Sequence, residues 1–439
     1  MNLKEKTMKN KNLKRNKITM KEVKKQVKGI TLIALVVTII VLLILAGVAI
    51  SLTIGQNGIF ARAQNAVNVY EQATTNEQSE LGKAEGLIDE YLNGNGGNQG
   101  GGSGGGEYNT GTTVEEAKNQ NKPFEDTTTI IDDLENPVTV PGGFNIAEDS
   151  GTKVEEGIVI EDSNNNQFVW IPVGEYNVST NINSTGKLTN ELSRREWASE
   201  DIVEEAKLVN GDDEIDGHNE AFKEYYYGEG DSRSVAKDQI DAFKTSSITN
   251  RGFYIGRYEA GTEVKRTAST EPLTIPLVQA NKYPYIHVTR DQAKQQAEAM
   301  YSGNIYVTSQ LISSYAWDTA LNYICQTNEE GYLLATTTDN TYGNLNSGII
   351  EQTGSYIVEG KVLDKYSNIF DVLGNCFEWT TEYSSRANST GKTPCVVRGG
   401  NAYIVNGVYA AIRYYDGHAS YSDYKSDSFR LQLYINPKN

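Results

Sequence analysis

From Ile30 to Ile54 the chain runs ITLIALVVTIIVLLILAGVAISLTI without one charged residue. At 1.5 Å rise per residue this run exceeds the roughly 20 residues needed to cross a bilayer, so a single transmembrane helix is expected over 30–54. Apolar residues then recur at helical spacings, Ala66, Val67, Val69 and Tyr70 first and Leu87, Ile88, Tyr91 and Leu92 later, which predicts a stalk helix over 55–92. Residues 93–106, NGNGGNQGGGSGGG, have no side chains with which to bury a core and read as a flexible linker. A polar connector over 107–153 follows. Beyond it the pattern mixes two periods. GIVIED, QFVWIPV and GFYIGRYEAG, starting at Gly157, Gln167 and Gly252, read as strands bounded by turn residues. DQAKQQAEAMY from Asp291 and TSQLISSYAWDTALNYI from Thr308 read as helices, the second with Thr308 or Ser309 as its N-cap. The expected class is α+β over 154–439, with Asn181 to Asn250 a charged, strand-poor, partly helical insertion.

Charge orients this arrangement. Residues 1–29 hold eleven Lys and Arg against Glu5 and Glu22, a basic leader that places the cytoplasm on its own side and everything after Gly55 outside. Taking 11 from the 40 basic residues and 2 from the 57 acidic ones leaves 29 against 55, a balance of −26. Such a surface disfavours nucleic acid, whose affinity rests on phosphate neutralisation by Lys and Arg. Cys325, Cys376 and Cys395 form no CxxC pair and permit at most one bridge, and His218, His287 and His418 are too scattered for a transition-metal site.

The junction Lys28-Gly29-Ile30-Thr31-Leu32-Ile33 lies before the apolar run, where a secretory signal would be cut after it. It resembles the type IV prepilin pattern. That resemblance implies cleavage after Gly29 by a prepilin peptidase, leaving Ile30 as an N-methylated mature terminus. The fifth residue after the cut is Ala34, where pilins carry a glutamate used in assembly. An uncleaved signal anchor is the alternative.

Six segments in order carry a second resemblance: FVWIPVGEY (168–176), GFYIGRYEAG (252–261), YPYIHVTRDQAKQQA (283–297), DVLGNCFEWT (371–380), VVRGGNAY (396–403) and SFRLQL (428–433). Together they resemble the formylglycine-generating enzyme, or sulfatase-modifying factor, family, which implies a C-type-lectin-like fold over 154–439. In DVLGNCFEW the two acids and a glycine that bares its carbonyl are what a Ca²⁺ loop needs. Matched residue by residue, the resemblance implies structural calcium held by Asp371 and Glu378 side chains and by the Gly374 and Cys376 carbonyls. The alternative is that these acids salt-bridge an arginine such as Arg398 or Arg430. Where the family's oxidases carry their two copper-binding cysteines, this chain has Ile404 and Tyr409, so neither copper nor formylglycine chemistry is expected.

The segment from Asn401 to Ser428 instead places six tyrosines among Asn, Ser, Asp, Gly and His. Tyrosine supplies large amphipathic contact area at low entropic cost, and its small polar neighbours supply adaptable hydrogen bonds. Tyr403, Val405, Asn406, Tyr409, Tyr414, Tyr415, Asp416, His418, Tyr421, Asp423 and Tyr424 are the candidate ligand-binding residues. The segment also resembles the mutable stretch of proteins diversified by retroelements, whose Asn, Tyr, Ser, Asp, His, Ile and Val are all reachable by replacing adenines of an AAY codon. The expected protein is an adhesin-like binder of a protein or glycan, displayed from the bacterial cytoplasmic membrane. A membrane-tethered enzyme of the same family and a minor pilin or pseudopilin are the other readings.

Overall fold

The computed structural model describes residues 112–197, 207–209, 215–217, 220–223, 233–328, 331–336, 342–355, 365–384, 395–404, 409–416 and 425–437. These belong to the unit Gly105–Asn439. The basic leader, the apolar run 30–54, the stalk 55–92 and the linker 93–106 lie outside the described residues, as do Gly29 and Ile30. Among the described residues no helix is long and apolar enough to cross a membrane.

In chain order the elements used below are α1 (Val114–Gln120), β1 (Phe144–Ile146), β2 (Val159–Asp162), β3 (Gln167–Pro172), β4 (Ile215–Gly217), β5 (Glu220–Lys223), α2 (Arg233–Thr249) and β6 (Gly252–Gly256). They continue with α3 (Arg290–Ala299), β7 (Val307–Leu311), α4 (Ser314–Thr327), β8 (Phe377–Ser384), β9 (Cys395–Arg398), β10 (Tyr414–Asp416), β11 (Asp427–Phe429) and β12 (Leu431–Ile435). The fold is α+β. A six-stranded sheet in the order β7-β12-β6-β3-β2-β1 is antiparallel throughout, with β12 paired between β7 and β6. The second sheet runs β4-β5-β8-β9-β10, with β11 added to β8 in parallel. Trp170, Tyr254, Phe168 and Leu433 fill the first sheet's inner side, and Trp379, Val397 and Phe429 the second's, all shielded from water.

Helix α4 touches both sheets, at β3 and β8. Every residue from Ser314 to Cys325 is buried, and Ser313 caps the helix by accepting from the Ala316 amide. This differs from the expectation of a helix from Thr308. Val307–Leu311 pairs with β12 residue for residue, because its β-branched and alternating side chains have a strand edge waiting for them. The cap therefore moves to Ser313. A second correction concerns 107–153. Thr113 and Glu116 form a capping box on α1, Val138, Val140, Phe144 and Ile146 are buried, and β1 is an edge of the main sheet. Residues 112–153 thus pack into the folded unit and are no connector. A third concerns 181–250, which contributes β5 to the second sheet through Phe222 opposite Ser384, and so is not strand-poor.

Candidate functional site

The loop Asp371–Cys376 leads into β8 with three residues in left-handed backbone, Asp371, Gly374 and Asn375 at φ 57°, 91° and 56°. Asp and Asn tolerate this region better than other side-chain-bearing residues. Gly374 is required, since a Cβ there would lie 2.5 Å from the Asn344 carbonyl carbon. The loop is a junction. Gly374 N donates to Gly399 O at 2.7 Å, Asn375 N to Asn344 O at 3.0 Å, and Ala402 N to Asn375 O at 3.0 Å. It thereby braces the segment that launches the tyrosine-rich loop.

Three carboxyl groups gather behind it. Glu259, fully buried, accepts from Cys376 N at 3.0 Å and from Asn375 Nδ2 at 2.9 Å. Asp371 accepts from Gly354 N at 2.7 Å. Glu378 is gripped by Arg430, with Nε 2.9 Å from Oε2 and Nη2 2.5 Å from Oε1. The same guanidinium donates to the carbonyls of Gly256, Phe370 and Asp371 at 2.9, 2.9 and 3.2 Å. Burial pushes all three acids up: Glu259 well above the usual carboxylate range, Asp371 to about 6, and Glu378 to about 7 against the pull of Arg430. Of the three, Glu378 alone has a guanidinium on both oxygens, the strongest kind of carboxylate pairing.

Of the calcium set implied by resemblance, Glu378 thus has the arginine alternative realised, through Arg430, while Arg398 pairs elsewhere. Among the described residues no group of three or more His, Cys, Asp or Glu side chains is arranged to hold a metal ion. The sequence reading missed Glu259 and Asn375. Their spacing of 116 residues hides the pairing, although an acid in the apolar run GFYIGRYEAG is a signal that it is buried and partnered.

A second charged cluster sits beside α4. Asp318 accepts from Arg398 Nη2 at 2.6 Å and from Arg413 Nη2. Glu382 accepts from Arg194 Nη2 and Arg413 Nε, both at 2.8 Å, and stands 3.5 Å from Arg398 Nη1. The backbone amide of Arg195 and the Trp197 indole add 2.9 and 3.2 Å bonds to Asp318. Burial raises Asp318, but the guanidiniums of Arg413 and Arg398 outweigh it and hold the group at about 2; Glu382 is lowered for the same reason.

Arg413 belongs to the tyrosine-rich loop, and this splits the expected binding face. Ala410, Ala411, Ile412 and Arg413 are buried. Trp317 Nε1 donates to Ala410 O at 3.1 Å, and Ala411 N to Ala335 O at 3.1 Å. On either side of this clamp Tyr403 is 40% and Tyr414 43% exposed. Lys425 Nζ stands 4.3 Å over the Tyr403 ring, and Tyr414 stacks on Phe377 with centroids 5.4 Å apart. Tyr409 and Ile404 are half-buried and pack against the core. Among the candidate residues, Tyr409 thus leans inward, and 410–413 between it and Tyr414 is buried. Tyr415 and Asp416 lie on β10, whose backbone pairs with β9. Val405, Asn406, His418, Tyr421, Asp423 and Tyr424 lie outside the described residues.

The thiols offer little reactivity. Cys325, Cys376 and Cys395 are free and buried, and burial pushes each above its ordinary value, Cys395 to about 11.

Comparison with known proteins adds little to this geometry. No family model and no curated protein matches the chain. The solved structure of CarF is similar over 42% of this chain and 87% of its own at 16% identity, with a TM-score of 0.29, a likeness too slight to carry an argument about fold or function.

Proposed function

We propose that this chain is a surface-displayed binding protein, anchored in the bacterial cytoplasmic membrane by 30–54, whose lectin-like head of formylglycine-generating-enzyme type presents the tyrosine-rich C-terminal loop to a protein or glycan. The observation that carries the reading is the division of that loop: exposed Tyr403 and Tyr414 flank a buried clamp that fixes their backbone. Rigid, exposed tyrosines on a braced loop are what a contact surface needs. The reading is non-catalytic because Ile404 and Tyr409, at the positions where the family's oxidases carry thiols, pack on the core.

The test is a screen of the full-length protein against glycan and surface-protein arrays, repeated with Tyr403→Ser/Tyr414→Ser. A hit that weakens at least about tenfold in the double variant supports the reading, since hot-spot aromatics typically carry that much. Binding indifferent to both tyrosines would sink it. Deep sequencing of codons 403–424 across a population addresses diversification separately, and adenine-derived changes are expected at exposed positions and not at 410–413.

A further inference from the structure

We propose that the guanidinium of Arg430 serves as the built-in cation of the 371–378 loop, so that the head folds and holds its C-terminal loop without calcium. A hard cation in such a loop is satisfied by a carboxylate and converging backbone carbonyls. Arg430 takes that kind of donor set: both oxygens of Glu378 and the carbonyls of Gly256, Phe370 and Asp371. Two of those carbonyls, Phe370 and Asp371, belong to the entry of the loop itself. The remaining acids have protein donors of their own, Glu259 from Asn375 Nδ2 and Cys376 N and Asp371 from Gly354 N.

Geometry favours the arginine over a mobile ion here. Arg430 is 1% exposed and lies between two strands, β11 and β12, each paired to a different sheet. Its Cα is thus fixed by both sheets. The planar fork meets the carboxylate in two parallel N–H···O bonds, which an ammonium does not reproduce. Since the loop also bonds Gly399 and Ala402, Arg430 acts on the base of the tyrosine-rich segment through Glu378 and the loop, as a positioning residue.

The experiment measures thermal unfolding of the full-length protein in detergent with 2 mM CaCl₂ or 2 mM EDTA, for wild type, Glu378→Gln, Arg430→Lys and Arg430→Gln. Wild-type melting temperatures in the two solutions should agree within about 1 °C, because a ligand that does not bind the native state gives no linkage. Arg430→Lys should melt at least about 5 °C lower in both solutions, since the charge stays but the fork is lost. Should Arg430→Gln fail to fold, the lysine variant carries the test alone. A wild-type rise of about 5 °C or more in calcium that disappears in Glu378→Gln would overturn the proposal. So would an Arg430→Lys variant that melts with the wild type.

Discussion

Two buried charge clusters of this head are built on opposite balances. Beside α4, two carboxylates, Asp318 and Glu382, meet three guanidiniums, and both acids are driven down. Behind the 371–378 loop three carboxyl groups share one guanidinium, and all three are driven up. Burial is the largest influence in both places and always opposes ionisation, so the number of arginines within reach decides the sign. The first cluster is a set of ion pairs. In the second, one ion pair sits beside two acids that backbone and amide donors satisfy.

The sharpest way to break this contrast is to remove one charge from each cluster. Asp318→Asn leaves Arg398 and Arg413 buried with a single acid between them and should cost about 3–5 kcal/mol, the usual penalty for an uncompensated buried charge. Urea unfolding at pH 7 measures it. A cost below about 1 kcal/mol would mean that Glu382 alone satisfies the three arginines.

Acid is a second, somewhat smaller probe. Asp318 sits at about 2, below its ordinary value, so it contributes stability that is fully present above pH 4 and is lost as the pH falls toward 2. The shift corresponds to about 2 kcal/mol. Asp371 has the opposite sign: held at about 6, it binds a proton the unfolded chain has released, and stability declines as the pH rises from about 4 to about 6. Unfolding free energies at pH 2.5, 4, 5 and 7 therefore separate the clusters. Asp318→Asn should flatten the acid limb alone, and a flattened limb between 4 and 6 in that variant would mean that the two clusters are coupled.

Asp371→Asn is the counterpart with the smaller effect. Asn keeps an oxygen for Gly354 N and accepts the left-handed backbone at φ 57°, while one of three crowded acids loses its charge. A change within about 1 kcal/mol at pH 7, or a slight gain, is expected. A loss as large as that of Asp318→Asn would show that the Asp371 carboxylate is needed where it stands.

The two clusters also differ in how far they can be read from sequence. DVLGNCFEW announces a loop because its acids, glycine and aromatics are consecutive, and Glu378 with Arg430 was one of two pairings open to it. Nothing local announces Asp318, which sits in SYAWDTALNYI as a lone acid, or Arg413, which lies among tyrosines that look like surface. The partners are 95 residues apart. Two apolar signals were nonetheless present, Ala410-Ala411-Ile412 and the almost unbroken hydrophobic face of α4. Elements followed the same rule. Strands β2, β3 and β6 and helix α3 are visible in local period, whereas β7 and β1 depend on pairing with β12 and β2, and pairing is not written in any one segment.

The exposed loop tyrosines, Tyr403 and Tyr414, give the smallest effect and the most direct check on what the clusters are for. If Arg413 and the 371–376 junction fix the loop, its exposed side chains carry little of the fold. Tyr403→Ser and Tyr414→Ser should then each change stability by less than about 1 kcal/mol, the surface expectation widened for the ring contacts with Lys425 and Phe377. Tyr409→Ser, in the same loop, should cost about 2–3 kcal/mol, because its ring packs on the core. Three single variants measured side by side by urea unfolding decide between a loop that is framework at 409–413 and contact surface at its edges, and a loop whose tyrosines all hold the fold. Equal losses at the three positions would favour the second, and would remove Tyr403 and Tyr414 from the proposed binding surface.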